Sequence, residues 1–69
     1  MANMEKLLSK RELDILELMA NGLTSEQIAG SLSISPLTVQ THRRNMLKKA
    51  GAVNAQQLIS WGFRSKLLK

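Results

Sequence analysis

The chain lacks cysteine and tyrosine, and it has one proline, one tryptophan and one phenylalanine in 69 residues. Without cysteine, no disulfide and no thiolate metal site braces the fold. The single histidine, His42, has no second His or Cys to complete a metal-ligand set. Long apolar runs are missing too: nothing approaches the roughly 18 residues of a membrane span, and no secretory signal is visible. No nucleophile, base and orienting group can be assembled, because the serines fall at helix caps. These gaps argue against an enzyme, a cofactor, a metal and a membrane partner, and a reducing, cytoplasmic setting is the default.

A further absence is local. All five acids, Glu5, Glu12, Asp14, Glu17 and Glu26, precede residue 27, and none follows. From Pro36 onward the charged residues are Arg43, Arg44, Lys48, Lys49, Arg64, Lys66 and Lys69. The net charge of +5 is thus concentrated in one half of the chain. A one-signed half points to a polyanion, since solubility alone does not require every acid to be excluded.

Sixty-nine residues make one small domain, which buries only about 60% of the surface that its unfolded chain exposes. Residues 1–6 are expected to form an exposed leader, and 7–69 the domain. Caps and apolar spacing predict four helices and no strand. The first starts at Ser9, with Glu12 as its capping-box partner. It carries Leu13, Leu16, Met19 and Ala20 on one stripe with Ile15 beside it, and stops at Asn21-Gly22. The second starts near Thr24, paired with Gln27, and buries Ile28, Ala29 and Leu32. After a turn at Ser33-Ile34, the third starts at the cap Ser35 with Pro36 at its first position, and runs to Ala50 before Gly51. The fourth starts at Asn54, with Gln57 three residues on. It is expected to bury Leu58, Ile59 and Phe63.

At about 100° per residue, Val39, Met46 and Ala50 share the packing side of the third helix, flanked by Leu47 and His42. The opposite side presents Leu37, Gln40, Thr41, Arg44 and Lys48. Arg can chelate guanine, Gln can chelate adenine, and Leu or Thr methyls can meet the thymine methyl. Gln40, Thr41, Arg44 and Leu37 are therefore the candidate base readers. Thr38, Arg43, Asn45, Lys48 and Lys49 are the candidate phosphate contacts, which fix register without reading sequence. A basic helix presented by a short turn from a preceding helix suits the DNA major groove. His42 is read as a packed, hydrogen-bonded histidine.

The segments Leu8–Leu16, Gly22–Ala29 and Ile34–Met46 together resemble the LuxR-type helix-turn-helix of the NarL/FixJ class, and Lys49-Ala50-Gly51-Ala52 with the helix after it fits the same pattern. The resemblance covers residues 7 to 68. It implies a four-helix bacterial transcription-factor domain that binds double-stranded DNA sequence-specifically. Helix 3 would lie in the major groove, with Gln40, Thr41 and Arg44 at the family's base-reading positions and Thr38, Lys48 and Lys49 at backbone-contacting ones. Helix 4 would pair two copies. Leu37, Gln40, Ala50 and Ala55 depart from the usual pattern. A homodimer through Leu58, Trp61 and Gly62, weak without DNA, is expected, and RNA polymerase is a further partner in keeping with a regulator on the bacterial nucleoid. In this family a separate N-terminal domain usually receives the signal, so the chain reads as an effector domain or a short free-standing regulator.

Region 4 of a sigma factor shares part of the pattern, but His42-Arg43-Arg44-Asn45 and the Asn54 helix fit the LuxR type better. A protein-interaction module anchored on Leu37 and Trp61 is opposed by the basic half. An amphipathic membrane-surface role is opposed by capped helices that share a core.

Overall fold

The computed structural model describes residues 8–69, so the leader expected over residues 1–6 lies outside the described residues. Four α-helices follow one another: α1 (Lys10–Ala20), α2 (Ser25–Leu32), α3 (Pro36–Ala50) and α4 (Ala55–Arg64). Among the described residues there is no strand. The all-α helix-turn-helix architecture is the one the caps and apolar periods predict.

Each helix starts where a side chain can take an orphan backbone N–H. Ser9 and Thr24 form reciprocal capping boxes with Glu12 and Gln27. The Ser35 hydroxyl accepts from the Thr38 N–H at 3.1 Å, ahead of Pro36, which has no N–H to satisfy. At α4 the Asn54 side-chain Oδ1 accepts from the Gln57 N–H at 2.8 Å. Gln57 reaches back one residue further than a capping box requires, to the Val53 N–H at 3.0 Å.

Three helix ends also share a device. Gly22, Ser33 and Gly51 all adopt left-handed backbone, with φ of 90°, 58° and 67°. In each case the N–H of the next residue returns into the helix: Leu23 to the Leu18 carbonyl, Ile34 to Ala29 and Ala52 to Leu47. This Schellman closure reverses the chain in two or three residues. Ser33 does it without glycine's freedom, so the turn between α2 and α3 holds a conformation that an L-residue adopts at some cost.

α1 and α3 each pack against the three other helices, whereas α2 and α4 do not meet. The fully buried side chains Ile15, Leu16, Ile28, Val39, Met46 and Leu58 come from all four helices. Ile15 therefore stands at the centre of the core rather than beside the stripe. The inward line of α1 runs Glu12, Ile15, Leu16, Met19, with Leu13 and Ala20 on its flank. The expectation for α4 also needs correction. Leu58 and Gly62 face inward, Ile59 is only half-buried, and Phe63 is 48% exposed.

The reason is the chain beyond α4. The N–H groups of Leu67 and Leu68 both donate to the Gly62 carbonyl. Leu68 then folds back across Gly62, where an added Cβ would lie 2.8 Å from Leu68 Cδ1 and 3.1 Å from Leu16 Cδ2. The missing side chain of Gly62 is space for this chain's own Leu68, not for a second helix. Leu68 is thereby buried.

Val39 is the buried residue of α3's first half. Val39→Ala is expected to cost about 1–3 kcal/mol, a large share of the ~5 kcal/mol at the low end for small domains. Urea denaturation checks it: the midpoint should fall with an unchanged m-value.

Candidate nucleic-acid interface

α3 is anchored by its inner face and leaves the outer one free. Val39 and Met46 are buried, and His42, Leu47 and Ala50 are half-buried. Leu37, Thr38, Gln40, Thr41, Arg44, Asn45 and Lys48 are all exposed. The stripe Leu37, Thr41, Arg44, Lys48, spaced by four, three and four residues, runs along the outward side. No acid lies on α3, and its last turn carries Lys48 and Lys49, where cations complement the helix dipole.

The hydroxyls at the start of the helix are already engaged. Thr41 Oγ1 donates to the Leu37 carbonyl at 3.1 Å, and Thr38 Oγ1 is 2.9 Å from Ser35 Oγ. The side chains of Gln40, Arg44, Asn45 and Lys48 are exposed on the same face. The imidazole of His42, expected to be packed and hydrogen-bonded, is half-buried.

Two of the basic residues expected at the phosphates are occupied inside the fold. Arg43 Nη1 donates to Ser25 Oγ at 2.6 Å, which ties α3 to the first residue of α2. Lys49 Nζ lies 2.8 Å from Glu12 Oε1. Glu12 is 3% exposed, and the same Oε1 accepts from the Ser9 N–H at 2.8 Å. Burial by itself pushes the Glu12 carboxyl up. The Lys49 hydrogen bond, the Ser9 N–H and the Lys49 charge outweigh it and hold the group below its ordinary value.

The capping box gave Glu12 its place at the start of α1, but its burial beside Ile15, Leu16 and Met19 emerges only from the packing. Its partner was not legible either, because 37 residues separate Glu12 from Lys49. Of the three residues expected to pair two copies, Leu58 is fully buried and Gly62 is covered by Leu68, so neither is available to a partner. Trp61 is half-buried and packs on its own core. Beside it lies an open groove between the end of α3 and α4, lined by Gly51, Gln57, Ser60 and Arg64 among others.

A short Schellman-closed turn thus offers a basic outward helix face, on a core shared by four helices. The model of the bacterial regulatory proteins of the luxR family matches residues 6–61. The chain belongs to that family. Its helix-turn-helix is the family's DNA-binding domain. Among its relatives are the oxygen regulatory protein NreC of Staphylococcus aureus strains JH9 and Mu3, each 39% identical over 64 residues. The matched stretch is 93% of this chain but only 30% of the NreC chain. The luxR-family domain therefore accounts for less than a third of those relatives' length. Among the described residues, no helix is long and apolar enough to cross a membrane, and no cluster of His, Cys, Asp or Glu could hold a metal ion.

The lowered Glu12 value fixes a pH dependence. A carboxylate whose folded value lies below its unfolded one, near 4.5, stabilises the fold above that pH. The contribution fades as pH falls through the lower folded value. Glu12→Gln is expected to lose about 1–2 kcal/mol at pH 7, a figure kept small because Lys49 is half-exposed. The gap to the parent should narrow toward pH 3. Denaturant titrations of both proteins at the two pH values measure it, and a gap that stayed constant would remove the ion pair from the account.

Proposed function

We propose that this chain reads duplex DNA with α3 in the major groove, as the DNA-binding part of a bacterial transcriptional regulator. The observation that supports it best is the composition of α3's exposed side: cations, amides and methyl groups together, with no carboxylate. Solubility asks only for charge, whereas base reading asks for this mixture. Arg44, in mid-helix and exposed, is the guanine reader. Gln40 takes an adenine edge, and Thr41 and Leu37 offer methyl contact. Thr38, Asn45 and Lys48 hold phosphates at the rims.

Arg43 and Lys49 take a different part. Their charges still add to the positive field, but their heads are bound to Ser25 and Glu12. They fix the orientation of α3 rather than grip the backbone first. Two copies pair on adjacent half-sites, through a smaller surface than the α4 sequence suggests: Trp61 with exposed Ser60 and Arg64 beside the groove. Action on the nucleoid in the cytoplasm, contact with RNA polymerase and the absence of catalysis complete this reading.

Arg44 and Lys48 are expected to fail differently. Arg44→Ala should cost about 1–3 kcal/mol on the preferred site and relax preference at one base pair. Lys48→Ala should weaken preferred and scrambled duplexes alike and lower the salt slope by about one unit. Binding titrations at several salt concentrations separate the two. Equal weakening of both duplexes by Arg44→Ala would make it a phosphate contact and leave Gln40 and Thr41 as readers.

For pairing, sedimentation on a duplex with two half-sites should show two chains per duplex, and Trp61→Ala should reduce this to one without unfolding the domain. A strict monomer on that duplex would dismiss the dimer.

A further inference from the structure

One residue on the outward face of α3 has no hydrogen-bonding use. Leu37, the second residue of the helix, is 70% exposed. It is not an extension of the core, because Val39, Met46 and Leu47 all turn to the other side. A lone exposed apolar residue on a surface needs no explanation, and Val53, at 78% exposure in the loop before α4, is of that kind. Leu37 differs by its surroundings, in line with Thr41 and Arg44 at the end of the helix that leads into the groove.

The neighbouring hydroxyls sharpen the point. Thr41 donates to the Leu37 carbonyl, and Thr38 is bonded to Ser35. The two threonine hydroxyls of this stretch are therefore engaged, and beside the exposed Gln40 amide Leu37 presents only carbon. Leucine has neither donor nor acceptor. The major-groove edge offers it one complementary feature, the methyl group on C5 of thymine. 5-Methylcytosine carries the same methyl at the same ring position.

We infer that Leu37 reads a C5-methyl group in the major groove, so that the domain distinguishes thymine from uracil, and 5-methylcytosine from cytosine, at one position of its site. This rests on the DNA-binding orientation proposed above. It adds a consequence that orientation alone does not carry: affinity responds to a base modification that leaves Watson–Crick pairing unchanged.

The test uses a duplex selected from a random-sequence pool by the parent chain, with each thymine replaced in turn by deoxyuridine. Loss of one buried methyl should weaken binding about four-fold at one position. Cytosine placed there should weaken it further, and 5-methylcytosine should recover part of that loss. Leu37→Ala stays folded, because the side chain packs on nothing in the core, and circular dichroism verifies this. It should bind the parent duplex more weakly and show no response to uracil at that position. A parent chain indifferent to uracil everywhere, or a Leu37→Ala chain that keeps the full response, overturns the inference while leaving selective binding intact. A chain that selects no sequence from the pool overturns the proposed orientation, and this inference with it.

Discussion

The Glu12 carboxylate is buried at the start of α1, where a charge survives only if it is paired and hydrogen-bonded. It is held by two donors at 2.8 Å, the Ser9 N–H and the Lys49 ammonium. One oxygen therefore caps the first helix and grips the last turn of the third. With Lys49 drawn to α1 while Val39 and Met46 enter the core, the rotation of α3 about its own axis is fixed. The stripe from Leu37 to Lys48 then points to solvent along the whole helix. Removing either partner leaves a charge in a poorly solvated place or frees the helix end, so the orientation of the outward face of α3 depends on this pair.

The charge distribution acquires a finer meaning in three dimensions. The basic half supplies a long-range field that favours a polyanion. Not every cation in it is free to touch one. Arg43 holds the N-terminus of α2 through Ser25, and Lys49 holds Glu12. Arg44 and Lys48 lie between them in the sequence but face outward, about a turn apart. Position on the helix, rather than residue type, separates the cations that build the scaffold from those that face solvent. In a small domain with a limited core, this division lets the same basic helix stabilise the fold and keep cations on its outward face.

Helix boundaries were legible because their physics is local. Ser9, Thr24, Ser35 and Asn54 each cap within three residues, and Gly22 and Gly51 end helices by their own left-handed backbone. The outward set on α3 was legible for the same reason, since helical periodicity turns spacing into facing. Phe63 and Gly62 were misjudged because their fate depends on Leu68. The tail after α4 returns only once Gly62 and Lys66 have shaped a turn, and nothing in the spacing of α4 announces which apolar residues will then be covered.

The amino-acid sequence by itself determined the number of helices, their ends, the acid-free half, the outward side of α3 and the luxR-type pattern. All of these follow from short-range hydrogen bonding and from the 3.6-residue period. Tertiary structure alone decided that Lys49 neutralises Glu12, that Arg43 bonds to Ser25, and that Leu58 and Gly62 belong to the interior rather than to a partner. Those contacts join residues from different helices, 18 and 37 positions apart for the two basic residues. Their pairing is set by how the four helices pack, which no local pattern encodes.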